Sequence, residues 1–250
     1  MEIAYTVLFF IYGIVLGSFF NVVGLRVPKK ESIVKPPSHC PKCKRRLTVV
    51  DLIPVFSYLF LRGKCHSCGT KISPIYVMTE FVTGMLFAFS YWYIGFSFEL
   101  IVAILFVSLL MIIIVSDIAY MLIPDKVLLF FLPLLVVGRI LSPLEPWWDS
   151  LLGAAVGFGI LLFIAIVSKG GMGGGDIKLF FLLGYVLGTI HTLLTLFVAS
   201  VIGMIIGIIM LKVRKQDRKT PLPFGPSIAL AAIIVYFFGD AMIHWYWNLF

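Results

Sequence analysis

Charge is what this chain has least of. Only 13% of its 250 residues are charged, whereas 61% are hydrophobic. A soluble domain of that length could not cover so much apolar surface, so a globular soluble enzyme is excluded. The first apolar stretch lacks a basic segment before it and a small-residue cleavage site after it, which excludes a cleaved signal peptide. The glycine-rich run at 170–175 is followed by no Gly-Lys-Ser/Thr and preceded by no strand, which excludes a P-loop. Cysteine is also scarce, at four residues.

What is present is a succession of long apolar stretches. Those able to span a bilayer fall near 3–25, 75–94, 98–116, 127–141, 150–167, 177–187, 192–211 and 224–245. The expectation is an all-α polytopic membrane protein with about eight transmembrane helices. It divides into a first helix (1–25), a polar module (26–74) and a seven-helix membrane domain (75–250).

The few charges are unevenly placed. Eleven of the twenty Lys and Arg residues lie between Arg26 and Lys71, and five more between Lys212 and Lys219. By the positive-inside rule both segments are cytoplasmic and the N-terminus lies outside. Eight spans then place the loops around Asp117 and Asp176 on the cytoplasmic face too. Arg139, near the outer end of the fourth span, is the exception to the bias. The net charge of +8 follows mostly from this cytoplasmic bias, which suits anionic lipid, and gives no reason to invoke nucleic acid.

All four cysteines sit in the polar module, as Cys40-Pro41-Lys42-Cys43 and Cys65-His66-Ser67-Cys68. Two such pairs fit a four-thiolate structural zinc site, and zinc would supply stability that a small insert cannot draw from its own core. Redox pairs or metal-free thiols are the alternative. Reduced thiols on the cytoplasmic side argue against disulfides.

Two carboxylates stand at the edges of apolar runs. Asp117 follows the apolar run that begins at Leu100, and Asp176 closes Gly170-Gly171-Met172-Gly173-Gly174-Gly175-Asp176. An ionised group in lipid costs roughly 2.5–3.5 kcal/mol at mid-helix, so such a group usually serves chemistry or transport. Two carboxylates can divide the work of hydrolysis, one activating water and the other protonating the leaving group. Gly173 and Gly175 would let an extended substrate backbone approach closely. Asp125 rivals Asp117 as the partner, although its place after Pro124 suits a helix start. Glu80, shortly inside the second span, either contacts substrate or the methyl-transfer site, or pairs with Lys126 or Lys178. Gly153/Gly157 and Gly203/Gly207 have the four-residue spacing of close helix packing.

Several stretches together resemble the type IV prepilin peptidases. They are Gly17-Ser18-Phe19-Phe20-Asn21, the two cysteine pairs, Asp117 with Ile123-Pro124-Asp125, Gly171-Met172-Gly173-Gly174-Gly175-Asp176, and Pro223-Phe224-Gly225-Pro226. The resemblance implies a membrane aspartic endopeptidase with Asp117 and Asp176 as its catalytic pair. It further implies cleavage of a short basic leader from type IV prepilins or pseudopilins, after glycine, at the cytoplasmic face of the bacterial inner membrane. Because the four-cysteine loop is retained, it also implies methylation of the new N-terminus with S-adenosylmethionine. No nucleotide-type signature for that donor is visible in the chain. One departure from the family pattern is that Ser116-Asp117-Ile118-Ala119-Tyr120 lacks a second acid. A proton-coupled carrier or a zinc-bearing scaffold would account for parts of the sequence, but neither accounts for both the aspartates and the module.

Overall fold

The computed structural model describes residues 2–169, 171–214 and 223–248. Its helices are α1 (Glu2–Arg26), α2 (Phe56–Phe60), α3 (Pro74–Ile94), α4 (Phe98–Tyr120), α5 (Asp125–Leu141), α6 (Asp149–Val167), α7 (Gly174–Leu187), α8 (Thr189–Arg214) and α9 (Gly225–Trp247), with a short 3-10 turn at Val50–Leu52. Among the described residues the only extended pairings are two isolated bridges. The eight long helices coincide with the eight apolar stretches expected.

Length and composition alone qualify five of them to cross a membrane: α1, α4, α6, α8 and α9. With 17 and 14 residues, α5 and α7 reach only about 26 and 21 Å at helical rise, short of a ~30 Å hydrocarbon core. The chain is thus a multi-pass helical membrane protein in which some helices are too short to cross unaided. The basic residues at 215–219 lie outside the described residues.

The chain divides into two compact units after Val115. In the first, α1 packs along α3. Phe9 stacks on Tyr91 with centroids 4.9 Å apart, and Phe96 meets Tyr5 edge-on at 5.0 Å. Pro74 at the first helical position and Ser73, whose hydroxyl accepts the Ile75 N–H, start α3. Buried Thr79, Thr83 and Ser90 donate to the carbonyls four residues back, so none brings an unsatisfied hydroxyl into the apolar interior.

The second unit is built around α6 and α7. Gly153 lies directly on Gly184, close enough that a Cβ on either would overlap the other's backbone, and a Cβ at Gly157 would stand 2.7 Å from the Phe180 carbonyl oxygen. The Gly153/Gly157 pair therefore serves packing within the chain. Arg139, the exception to the charge bias, is buried on α5. Its guanidinium donates to the Val186 carbonyl at 2.9 and 2.7 Å and to the Ser142 carbonyl at 3.2 Å. A cation at the C-terminal turn of α7 answers carbonyls that the helix leaves without partners. Asp149 does the reverse for α8, accepting from the Thr189 N–H at 3.2 Å and its hydroxyl at 2.6 Å.

Candidate active site

Two sequence expectations shift by a turn of helix, and both shifts build the site. The third apolar stretch was expected to end at 116, with Asp117 beyond it, but α4 runs on to Tyr120 and Asp117 is a helical residue. Ile118, Ala119 and Tyr120 carry no turn signal. The chain breaks only at Met121, whose φ of 52° is left-handed and whose N–H closes onto the Asp117 carbonyl at 2.8 Å. The Ser116 hydroxyl donates to the Leu122 carbonyl and ties down the turn. The sixth stretch was expected from 177, but α7 begins at Gly174 and takes Asp176 into its first turn, where the positive end of the helix dipole favours a carboxylate.

A tight junction joins these two helix ends. A Cβ at Gly175 would stand 2.8 Å from the Cβ of Ile123, in the α4–α5 connection. A side chain at Gly175 would therefore collide with Ile123, so packing alone requires glycine there. Gly173 and Gly174 are exposed, and around Gly174 no other atom lies within Cβ contact distance.

Asp117 is 6% exposed and its Oδ2 accepts the Gly225 N–H at 2.8 Å. That donor is the first residue of α9, so the N-terminus of one helix holds a carboxylate presented by another. Asp176 is half-buried, and its charge interacts with that of Asp117. The site is thus one enclosed, backbone-anchored carboxylate beside a second that is more open. Such a pair can divide between them the activation of water and the protonation of a leaving amine.

The rival carboxylate is engaged elsewhere. Asp125 begins α5 as expected, faces solvent, and pairs with Lys178 Nζ at 2.7 Å. Lys178 is therefore the partner of Asp125. Glu80 is buried and accepts the Val55 N–H at 2.8 Å, so the carboxylate fixes the polar insert to α3. Asn21 donates to the Tyr76 carbonyl at 3.1 Å, and Arg26 to the Ser32 carbonyl at 3.0 Å, which are structural roles. No sequence signal pointed to the Gly225–Asp117 bond, which links residues 108 apart.

The four cysteines of the first unit form a second centre. All their sulfurs lie within 4.8 Å of one another, with Cys40–Cys68 at 3.7 Å and Cys43–Cys65 at 4.0 Å. Four thiolates at ~2.3 Å around a tetrahedral ion would stand about 3.8 Å apart, so the arrangement fits a metal centre. Each pair lies in the same turn. Lys44 donates to the Cys40 carbonyl and Gly69 to the Cys65 carbonyl, at 3.0 and 2.9 Å, and both donors have left-handed φ, 58° and 65°. Bridges His39–Arg46 and Lys64–Lys71 close the two turns at equivalent places. Thr70 holds Cys68 at 3.2 Å, and this hydroxyl, with the Thr70 backbone, draws the Cys68 thiol down to about 6 from its ordinary 9.0. A thiol so lowered is a thiolate at neutral pH, which is the form a metal binds. Beside the centre, Arg45 bonds Ser67 at 2.8 Å and Asp51 at 2.6 Å.

Fold and site define a multi-pass membrane protein that joins an interhelical aspartate pair to a four-thiolate insert. Residues 104–208 match the family model described as the type IV leader peptidase family, and residues 11–94 match the bacterial peptidase A24 N-terminal domain. A protein of Bacillus subtilis named prepilin leader peptidase/N-methyltransferase is 46% identical over 95% of this chain and 96% of its own length. Proteins of the same name from Xanthomonas campestris and Pseudomonas aeruginosa are 35% and 32% identical, over 94% and 98% of this chain and 91% and 94% of theirs. The chain belongs to the type IV leader peptidase family. No solved structure matches it.

Proposed function

We propose that the chain is a membrane aspartic endopeptidase that removes the short basic leader from type IV prepilins and pseudopilins. The observation that carries this reading is the Asp117–Asp176 pair, set at two helix ends, with Asp117 held by the Gly225 N–H. In this mechanism one aspartate takes a proton from the attacking water and the other delivers one to the departing amine, leaving the two carboxyls with their original proton between them. The substrate's apolar helix stays in the lipid while its leader remains at the cytoplasmic surface. About eight spans with the N-terminus outside would place both aspartates and the insert on that side, as the Lys and Arg distribution supports.

The name shared by the relatives supports a second activity, N-methylation of the new terminus. S-adenosylmethionine is the methyl donor in this reading, and no residue of the chain is assigned to it. Cys40, Cys43, Cys65 and Cys68 would hold a structural Zn2+, whose contribution is to fold residues 26–74.

Purified protein should cleave a prepilin-like substrate after glycine, and Asp117→Asn and Asp176→Asn should each lower the rate by about 10²–10⁴. Product mass should rise by one methyl only when S-adenosylmethionine is added. Cleavage by either variant at the wild-type rate would reject the pair.

A further inference from the structure

The insert carries a surface that neither the aspartates nor the thiolates use. From Val49 to Phe60 it exposes Val50, Leu52, Ile53, Phe56 and Leu59, and Val49 and Phe60 are each 84% exposed. Directly after this segment come Arg62, Lys64 and Lys71. These three cations line a cavity of about 440 Å³ with Tyr58, Ser73 and Pro74, and no carboxylate lines it. An apolar segment outside the long helices, beside an acid-free cationic cavity, has the make-up of a surface that lies on anionic lipid.

The register of α1 against α3 sets the height of each part. A Cβ at Gly17 would stand 2.9 Å from Glu80 Cα, and one turn further on Asn21 reaches the Tyr76 carbonyl. The start of α3 therefore lies level with the end of α1, which is long and apolar enough to span. Glu80, level with Gly17, lies about 13 Å inside the Arg26 end of α1. Its carboxylate holds the Val55 N–H at 2.8 Å, so the start of α2 hangs below the tip of α1 by all but one side chain's reach. The cationic cavity, by contrast, includes Ser73 and Pro74 at the very start of α3. Along the helix axis the order is cations at the end of the span and the start of α2, with exposed Phe56, nearer its interior. A phospholipid presents its groups in that order, phosphate outermost and acyl chain within.

We infer that the insert binds an anionic phospholipid, with its phosphate in the Arg62–Lys64–Lys71 cavity and its acyl chain along α2. A prepilin leader is itself basic and would be repelled there, so this site is separate from substrate cleavage. The ligand chemistry is a phosphate ester, and the bilayer is its source.

The test uses the full chain exchanged into equal phosphatidylglycerol and phosphatidylcholine, with retained lipid counted by native mass spectrometry. Wild type should retain phosphatidylglycerol preferentially. Combined Arg62→Gln, Lys64→Gln and Lys71→Gln should abolish the preference, at about fivefold per charge removed. Lys64→Arg with Lys71→Arg should keep it, which separates charge from misfolding. In vesicles, the indole emission that Phe60→Trp adds to the wild-type signal should be quenched by lipids brominated on the acyl chain. Equal retention by wild type and the triple glutamine variant, or failure of those lipids to quench the added emission, would overturn the inference. So would displacement of the lipid by millimolar glycerol phosphate, which would make the ligand a soluble anion.

Discussion

Asp117 depends on a residue that has no side chain. A Cβ at Gly225 would come within 2.8 Å of Asp117 Oδ2 and 2.9 Å of its Cβ, so the carboxylate would have to turn away from the N–H that holds it. Gly225→Ala is expected to lower kcat by about 10², the scale of an ångström's misplacement, with little change in KM. Single-turnover cleavage beside a circular dichroism check of helix content would measure this, and an unchanged kcat would show that the bond does not orient the aspartate. Both aspartates were legible in the sequence because a carboxylate at the edge of an apolar run is costly enough to stand out. Gly225 was legible only as part of a motif, since its role rests on a backbone N–H that no residue type signals. The packing of Gly175 against Ile123 was not legible, because a glycine required by a neighbouring side chain and one required by substrate look the same in a sequence.

At the scale of elements, glycine spacing correctly pointed to close helix packing, and the structure supplied the partner. With Gly153 and Gly184 already in backbone contact, Gly184→Ala must push α6 and α7 apart. It should cost about 1–3 kcal/mol, read as a lower unfolding midpoint in detergent. Arg139 was anomalous as a charge but makes sense as a donor. Arg139→Leu leaves the Val186 carbonyl without its donor in the interior and should destabilise by a similar ~1–3 kcal/mol. A neutral result in the same melt would mean that water reaches that helix end. The helix boundaries were legible to within a turn, and the turns that were missed are the ones that brought Asp117 into α4 and Asp176 into α7.

For the molecule as a whole, the thiolate centre links the fold of the insert to pH and metal. Cys68, drawn down to about 6 by Thr70, sits below its ordinary 9.0. The stability it adds is complete above about 9 and is lost as pH falls through about 6. Protons compete with metal for the four sulfurs, so occupancy measured by a chromogenic chelator should drop as pH falls. Thr70→Val removes the hydroxyl that favours the thiolate and should move the drop to higher pH; an unmoved midpoint would rule out Thr70 as the cause. Stripping the metal at neutral pH should open residues 26–74 to protease.

The Gly225 bond also has a meaning in time. The first aspartate is made near the middle of the chain, the second after it, and the donor that orients the first belongs to α9, the last helix among the described residues. A nascent chain halted after α8 would carry both acids and still lack the group that aims one of them. The order of residues along the polypeptide thus leaves Asp117 without this donor until α9 has been made.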